Sequence, residues 1–250
     1  MTDTLKDKVA LIAGGTTGIG LAIAKRFTAE GAYVVITGRR QAELDAAVSD
    51  IGANVEGIRA DSSSLPELDA LYASVRDGKG TIDVLVANAG GGSGLAALGS
   101  ITEQQYESTF NTNVKGLIFT VQKALPLLSK NASVILTGST TGSTGLPNAS
   151  IYAASKAAVR NLARSWIAEL KGSGIRINVL SPGPTNTPGL LGMAAPEHHQ
   201  ALLETLAATV PLGRVADPDE TAAAAVFLAS DAASFVNGIE LFVDGGQAQI

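Results

Sequence analysis

Tyr152 and Lys156 are the residues of this 250-residue chain whose types and spacing point most directly to chemistry. They lie four positions apart at the start of a long predicted helix, so their side chains share one helix face. A free tyrosine phenol has a pKa of about 10 and is a poor acid or base at neutral pH. A nearby ammonium favours the phenolate and lowers that pKa. The pair therefore indicates a proton donor assisted by a cation, or else a packed tyrosine beside a solvated lysine.

Two polar residues upstream strengthen the first interpretation. Ser139 follows the predicted strand Ser133–Thr137, and the chain then leads into the helix that bears Tyr152. A hydroxyl at this strand end could hydrogen-bond the same substrate oxygen that Tyr152 protonates. Asn113 lies in a long segment, Glu103–Ser129, that is predicted to be mostly helical, either continuous or with one break, and an amide within a helix is modestly unfavourable. We interpret Asn113 either as a residue that orders a water or as an ordinary polar helix residue.

A glycine-rich turn, AGGTTGIG, joins the first predicted strand, Val9–Ala13, to the first predicted helix, Ile19–Glu30. Glycine permits a tight turn and lets the backbone approach a pyrophosphate, while the helix start offers free N–H groups. Glycines also occur in ordinary strand-to-helix turns, but the position of this turn predicts a nucleotide site. The residues assigned to it are Gly14, Thr16, Thr17, Gly18, Ile19 and Gly20.

Two arginines follow the second predicted strand, Tyr33–Thr37. In a dinucleotide-binding fold this strand end faces the adenosine ribose, where an acidic residue binds the 2′-hydroxyl and an arginine accommodates a 2′-phosphate. The segment has no Asp or Glu, whereas Arg39 offers a planar donor suited to phosphate. Arg39 and Arg40 therefore predict a preference for NADP(H), with NAD(H) possible, unless they only solvate the start of the next helix.

Two further polar residues stand at predicted strand ends. Asp61 follows the strand Val55–Ala60, and Asn88 follows the strand Val84–Ala87. Ligands bind at the carboxyl ends of the strands in open α/β sheets. We expect Asp61 to hydrogen-bond the adenine and Asn88 to brace the strand ends through backbone contacts. Turn chemistry or helix capping accounts for both residues equally well.

The elements that must position these residues alternate between short apolar runs and helical patterns. Nearly continuous apolar strands are typical of strands covered on both faces, and the alternation predicts right-handed crossovers in a parallel sheet. The expected fold is α/β, a Rossmann-type doubly wound sheet of seven strands within one domain over residues 1–250. The remaining predicted helices are Glu43–Ile51, Pro66–Asp77, Ser150–Lys171, Glu197–Thr209 and Asp217–Ser230, and the remaining strands are Ile175–Leu180 and Ile239–Val243.

The composition excludes several classes of function. A net charge of −5 argues against nucleic acid as the main partner. The absence of cysteine excludes disulfides, thiolate-bound metals and thiol nucleophiles. Neither a secretory leader nor a membrane-spanning run is recognisable, so we expect a cytoplasmic protein without membrane contact. His198 and His199 are adjacent and have no evident third ligand, so we expect a solvated helix start and no metal site.

In combination, these residues resemble the short-chain dehydrogenase/reductase family, in its short single-domain branch. The resemblance covers nearly the whole chain and includes the last strand within residues 238–246. The turn begins Ala13-Gly14 where many relatives have Thr-Gly, and Thr17 is not basic, so Arg39 carries most of the NADP assignment. The matching residues are Gly14, Gly18, Gly20, Asp61, Asn88, Ala89, Gly90, Asn113, Ser139, Tyr152, Lys156, Pro182 and Gly183.

The resemblance implies a catalytic tetrad and hydride transfer from a nicotinamide cofactor. By this analogy Tyr152 protonates the carbonyl oxygen during reduction, and Ser139 polarises that oxygen. Lys156 would bind the nicotinamide ribose and lower the pKa of Tyr152, and Asn113 would hold a water that links Lys156 to solvent. The residues expected at the nicotinamide end are Tyr152, Lys156, Pro182, Gly183, Thr185 and Thr187.

The expected substrate is a small, neutral, fairly hydrophobic ketone, aldehyde or secondary alcohol, covered by a lid at about residues 189–209. A 3-ketoacyl-thioester reductase is the alternative, and it would need a basic surface patch near the site. A non-enzymatic nucleotide-binding protein is a third interpretation, which predicts binding without turnover. The pocket candidates are small, apolar or neutral: Gly92, Ser93, Leu146, Asn148, Leu190 and Met193.

We also expect a homotetramer. Members of the family are commonly tetramers, and the late helices of this chain are apolar and rich in alanine. The apolar strand Leu241–Val243 near the carboxyl terminus adds a second candidate contact surface. Paired surfaces of this kind suit closed symmetry.

Overall fold

The structure, a computed structural model, describes residues 3–92 and 94–249. Its described strands form one parallel sheet of seven, in the order β3-β2-β1-β4-β5-β6-β7. The predicted Rossmann-type doubly wound fold is therefore confirmed. The strands are β1 (Val9–Ala13), β2 (Tyr33–Gly38), β3 (Val55–Arg59), β4 (Ile82–Ala87), β5 (Leu128–Thr137), β6 (Arg176–Pro182) and β7 (Glu240–Val243).

The helices connect the strands and cover both faces of the sheet. A six-residue π-helical segment, Asn111–Gly116, separates the fourth helix from the fifth. The helices of the described chain are α1 (Gly18–Ala29), α2 (Gln41–Ile51), α3 (Leu65–Lys79), α4 (Glu103–Phe110), α5 (Leu117–Ala124), α6 (Ser150–Glu169), α7 (Pro188–Leu191), α8 (His199–Ala207) and α9 (Pro218–Ala229). Among them, none is long and apolar enough to cross a membrane.

Two apolar layers hold the helices onto the sheet. Successive side chains of a strand point to opposite faces, so Ile12 joins one layer and its neighbour Leu11 joins the other. The Ile12 layer contains Phe27 of α1 and Leu228 of α9, whereas the Leu11 layer contains Val121 of α5. All five side chains are buried. The near-continuous apolar strands thus reflect burial on both sides.

The strand order brings the predicted site residues to one edge of the sheet. The chain runs outward from β1 through β2 to β3 and then returns to β4 on the other side of β1. Ala13 at the end of β1 is in register with Thr37 of β2 and Ala87 of β4. Thr137 at the end of β5 is in register with Leu180 of β6. The loops after β1, β2, β4, β5 and β6 therefore meet at the edge where such sheets bind ligands.

The predicted helical segment Glu103–Ser129 was wrong at its carboxyl end. Residues Leu125–Leu127 form a short 3-10 turn that contains Pro126, and β5 begins at Leu128. Proline lacks the N–H that a continuing helix would use. Leu128 instead pairs with Ile82 of β4, and the register shifts before the main part of β5.

Candidate active site

The first turns of α6 carry Tyr152 and Lys156 into the edge of the sheet. The Nζ atom of Lys156 lies 5.7 Å from the centre of the Tyr152 ring. Lys156 is only 6% exposed, and its Nζ donates a hydrogen bond of 2.9 Å to the carbonyl oxygen of Thr137. An ammonium has three donors, so this contact leaves hydrogens available for a ligand.

Burial dominates the titration of both groups. It lowers the pKa of Lys156 from 10.5 to about 8. It raises the pKa of the Tyr152 phenol above its ordinary value, and a hydrogen bond from Ser139 opposes this by lowering the pKa. The residues of the chain thus keep the phenol protonated at neutral pH, as a proton donor requires. That Lys156 lowers the pKa of Tyr152 stays a prediction.

Ser139 lies beside Tyr152 at the start of a short 3-10 turn after β5. Its Oγ accepts hydrogen bonds from the backbone N–H of Thr141, at 3.3 Å, and from the Thr141 hydroxyl, at 3.0 Å. A serine hydroxyl has two acceptor positions and one donor. Because Thr141 uses the acceptor positions, the hydroxyl hydrogen of Ser139 is left to donate to Tyr152 or to a substrate oxygen.

Asn113 is buried within the π-helical segment and is fully engaged with other residues. Its amide oxygen accepts from the N–H of Gly91, and its Nδ2 donates to the carbonyl of Gly91, both at 2.9 Å. The Nδ2 also donates to the hydroxyl of Ser155 at 3.0 Å. Asn113 is therefore not a solvated helix residue. The water that Asn113 would hold stays a prediction.

Asn88 braces the strand ends through its side chain. Its Nδ2 donates to the carbonyl of Gly14 at 2.9 Å, and its Oδ1 accepts from the hydroxyl of Thr137 at 3.1 Å. Gly14 has a φ of +77°, and a Cβ there would lie 2.8 Å from the Cα of Ala89. A Cβ on Gly20 would collide with the carbonyl of Gly14. The ends of β1, β4 and β5 are thus joined directly beneath the glycine turn.

The glycine turn also faces the loop that follows β6. A Cβ on Gly18 would lie 3.2 Å from the Thr187 methyl group. The Thr187 hydroxyl accepts from the N–H of Leu190 and caps α7. Thr185 is buried, and its hydroxyl donates to the carbonyl of Gly183. The loop that begins at Pro182 thus lies beside the turn, as a ligand spanning both would require.

The two arginines after β2 have different surroundings. Arg40 forms an ion pair with Glu43 in the first turn of α2. Arg39 is exposed and forms no ion pair with any described residue. Thr16 of the glycine turn packs against Gly38, next to Arg39. Arg40 therefore matches the alternative of solvating the next helix, whereas Arg39 keeps its guanidinium available beside the turn.

Asp61 makes local contacts after β3. Its Oδ1 accepts from the N–H of Ser63 at 2.9 Å and from the Ser63 hydroxyl at 2.7 Å. These bonds are ordinary turn chemistry. Contact between Asp61 and adenine stays a prediction.

These residues fit a dinucleotide. An added Cβ on Gly91 would meet no atom of the described residues within 4 Å, and an added Cβ on Gly92 would lie 3.7 Å from the Tyr152 ring. A Cβ on Gly90 would lie 3.5 Å from the Nζ of Lys156. The backbone of this loop thus leaves open space beside the catalytic pair. Together with the free guanidinium of Arg39, it offers contacts for both ends of a nicotinamide dinucleotide.

A small cavity lies beside Tyr152. Of the predicted pocket residues, Asn148 lines it, whereas Leu146 and Met193 are exposed and Leu190 is half-buried on α7. Ser93 lies outside the described residues. None of the described side chains that line it is charged; they belong to Gly94, Ala96, Ile101, Gln105, Thr109, Asn148, Ala149, Ser150, Ile151 and Tyr152.

Three site residues were not predicted from the sequence. Thr137 holds Lys156 through its carbonyl and Asn88 through its hydroxyl. Thr141 holds Ser139, and Ser155 holds Asn113. Thr137 ends a strand at the ligand edge, which is a usable signal. Nothing in the spacing of Thr141 distinguishes it from an ordinary turn residue.

Sequence comparison identifies relatives along the whole chain. A family model described as enoyl-(acyl carrier protein) reductase matches residues 13–248. Oxidoreductase asL5 of Sarocladium schorii is 48% identical over 98% of each chain. The 3α-hydroxysteroid dehydrogenase of Mediterraneibacter gnavus is 35% identical over 96% of this chain and 97% of its own. The NADP-dependent (R)-specific alcohol dehydrogenase of Lentilactobacillus kefiri is 33% identical over 98% of each.

Solved structures agree with these relatives. Levodione reductase superposes with a TM-score of 0.93 at 31% identity, covering 98% of this chain and 99% of its own. A short-chain dehydrogenase/reductase family protein superposes with a TM-score of 0.86 at 38% identity, covering 99% and 100%. With the glycine turn, Ser139 and the Tyr152–Lys156 pair all at the ligand edge of the sheet, the chain belongs to the short-chain dehydrogenase/reductase family of oxidoreductases.

Proposed function

We propose that this protein is an NADP(H)-preferring oxidoreductase that interconverts ketones or aldehydes with alcohols, secondary alcohols in particular, and that Tyr152 is its general acid and base. The observation that carries the proposal is the placement of the Tyr152 phenol between the Ser139 hydroxyl and the buried side-chain amine of Lys156. These are the groups that a carbonyl oxygen needs as it gains a proton.

Each residue has a defined task in carbonyl reduction. A bound nicotinamide supplies the hydride. Ser139 donates its free hydroxyl hydrogen to the carbonyl oxygen and polarises the bond. Tyr152 then delivers its proton to that oxygen, and in the reverse direction it accepts the proton from the alcohol. Lys156 directs its remaining donors to the ribose of the cofactor and stabilises negative charge on Tyr152.

The preference for NADP(H) rests on Arg39. Arg39 is exposed and lacks an ion pair among the described residues, and it directly follows Gly38, the last residue of β2, which packs against Thr16. Planar guanidinium donors match phosphate oxygens in pairs. The alcohol dehydrogenase of L. kefiri, whose name states NADP dependence, supports the same assignment.

The substrate proposed here is neutral and fairly hydrophobic, and the lack of a charged side chain among the described residues that line the small cavity beside Tyr152 supports its neutrality. Met193 is a large apolar residue within the expected lid of about residues 189–209, and its side chain is exposed. An exposed apolar side chain there suits a lid that closes over an apolar molecule. The relative from M. gnavus, named for a hydroxysteroid, supports including cyclic alcohols among the candidates.

A 3-ketoacyl-thioester reductase is the second candidate because the matching family model is described by an acyl-carrier-protein substrate. The carbonyl chemistry at Tyr152 would be the same. An acidic carrier protein would be attracted by positive charge near the site. The described residues that line the cavity are uncharged and the net charge of the chain is −5, so neither attracts such a carrier. We therefore favour the small-molecule substrate.

Two measurements test the proposal. A panel of linear ketones, cyclic ketones, a 3-ketoacyl thioester and an enoyl thioester, each with NADPH and NADH, defines the reaction. If none of the carbonyl compounds supports oxidation of NADPH, the proposed function is contradicted. Tyr152→Phe should retain NADPH binding and lose at least 100-fold in kcat, the scale of general acid catalysis. An unchanged kcat in this variant would refute the assigned mechanism, and binding without turnover in the wild type would support a non-enzymatic protein.

We further propose a homotetramer. An open groove of about 480 Å³ on α4 and α5 is lined by Tyr106, Phe110, Ile118 and Phe119 among others. Phe235, before β7, is fully exposed. Apolar surfaces of this kind mark contacts between proteins, and two separate surfaces suit a closed tetramer. Sedimentation velocity should give a tetramer at micromolar concentration, and a monomer would contradict this proposal.

A further inference from the structure

Ser155 is a fully buried hydroxyl next to Lys156 on α6, with an exposed fraction of 0%. Its Oγ donates to the carbonyl of Tyr152 at 2.7 Å. The same Oγ accepts from the Nδ2 of Asn113 at 3.0 Å. One small side chain thus connects two residues of the tetrad that lie on different helical segments.

The first of these bonds alone would be unremarkable. Serine in a helix often donates to a carbonyl three or four residues earlier. Ser165, on the same helix, does this with the carbonyl of Asn161 and is exposed. Ser155 differs because its oxygen is also used as an acceptor. With its hydrogen committed to the Tyr152 carbonyl, it presents only lone pairs to Asn113.

The other contacts of Asn113 extend this connection to the loop after β4. Its amide oxygen accepts from the N–H of Gly91, and its Nδ2 donates to the carbonyl of Gly91. A Cβ on Gly90 would lie 3.1 Å from the amide oxygen of Asn113 and 3.5 Å from the Nζ of Lys156. The loop at Gly90 and Gly91 therefore lies close to both the Asn113 amide and the Lys156 ammonium, beside the proposed nicotinamide site.

We propose that Ser155 is a positioning residue for the reaction. Its hydrogen bonds connect α6 to the π-helical segment. They thereby fix the positions of Asn113 and the Gly90–Gly91 backbone relative to Tyr152 and Lys156. The proposal rests on the proposed function for its kinetic consequences. It does not place Ser155 in contact with substrate.

Kinetics of three variants test the proposal. Ser155→Ala removes the hydroxyl that accepts from Asn113. It should lower kcat for the best carbonyl substrate by about 10- to 100-fold, because a shift of roughly 1 Å in the position of reacting groups can cost up to about 100-fold in rate. The KM should change little. Ser155→Thr keeps a hydroxyl that can bond the preceding turn and should recover most of the kcat. Ser165→Ala is the matched control; it removes a similar backbone bond without the second partner and should leave kcat unchanged.

A double-mutant cycle separates positioning from general destabilisation. Ser155→Ala combined with Asn113→Ala should be no slower than Asn113→Ala alone, because the two residues act through one contact. Multiplied losses in the double variant, or a wild-type kcat in Ser155→Ala, would overturn the proposal. If the wild type reduces no carbonyl, the proposed function fails, and a crystal structure of Ser155→Ala still decides the connection. Displacement of the Asn113 amide from Gly91 supports it, and an unmoved amide refutes it.

Discussion

The ammonium of Lys156 donates to the carbonyl oxygen of Thr137, the last residue of β5. No carboxylate among the described residues forms an ion pair with it. A buried cation held mainly by a carbonyl dipole is costly, and burial accordingly lowers the pKa of Lys156 to about 8. Burial of this ammonium therefore destabilises the folded protein, but it places a positive charge next to Tyr152.

Replacing Lys156 by methionine should stabilise the cofactor-free protein at neutral pH while abolishing activity. A fall in pKa from 10.5 to about 8 corresponds to roughly 3 kcal/mol of unfavourable folding free energy below pH 8. Between those pH values the unfolded chain binds the extra proton, so this penalty is relieved as the pH rises from 8 to 10.5. After the lost bond to Thr137 is allowed for, Lys156→Met should gain about 2 kcal/mol at pH 7.

Urea unfolding of the wild type and Lys156→Met at pH 7 and at pH 10 measures this difference. The gap should shrink at the higher pH because the wild type has then lost the buried charge. Lys171→Met is a suitable control, since Lys171 is exposed just after the same helix. A destabilised Lys156→Met at pH 7, or a gap that does not depend on pH, would show that burial of the charge is not the dominant effect.

Arg39→Met should selectively weaken the use of NADPH. The free guanidinium at the end of β2 is the proposed ligand of the 2′-phosphate, and a charged hydrogen-bonded contact of this kind contributes about 1.5–3 kcal/mol. We expect kcat/KM for NADPH to fall by about 10- to 100-fold and that for NADH to stay within a few-fold. Arg40→Met is the control, because Arg40 is paired with Glu43. Equal losses with both cofactors would contradict the role assigned to Arg39.

The fold could be predicted largely from the sequence because burial on both faces leaves a clear pattern. The apolar runs Val9–Ala13, Val34–Ile36 and Val84–Ala87 in β1, β2 and β4 have no polar residue within them, and the structure shows them enclosed by two layers of helices. The boundary at Leu128 was missed because the apolar residues before it suit a helix and a strand equally well. Pro126 indicates that the helix ends there, but the start of β5 at Leu128 depends on its pairing with Ile82, a contact distant in sequence.

The site was predictable where a residue type is itself chemically distinctive. Tyr152, Lys156 and Ser139 carry groups that suggest proton transfer, and strand ends place them together. Supporting contacts are less visible. The hydroxyl of Ser155 matters because of where the Asn113 amide lies, and that depends on the π-helical segment, which shows no reliable mark in the sequence.

Asn88→Ala should destabilise the protein and weaken cofactor binding together. Its amide holds the carbonyl of Gly14 and the hydroxyl of Thr137, so the variant leaves both groups short of a partner. We expect a loss of about 2–4 kcal/mol in the free energy of unfolding. Thr137→Val removes one of these contacts and should cost about 1 kcal/mol. Stability equal to the wild type in Asn88→Ala would mean that other contacts hold the glycine turn.

Gly14→Ala and Gly213→Ala separate backbone strain from close packing. Both glycines have positive φ, +77° and +72°, so an alanine at either position is conformationally strained by about 1–2 kcal/mol. An added Cβ on Gly213 meets no described atom within 4 Å, whereas on Gly14 it would lie 2.8 Å from the Cα of Ala89. Gly14→Ala must therefore push apart the loops after β1 and β4, and it should be about 2 kcal/mol less stable than Gly213→Ala in urea unfolding. It should also lose NADPH affinity, measured by fluorescence titration, because those two loops form the proposed cofactor site. If the two variants lose the same stability, the close approach of Gly14 to Ala89 does not constrain the fold, and the role of this glycine is conformational alone.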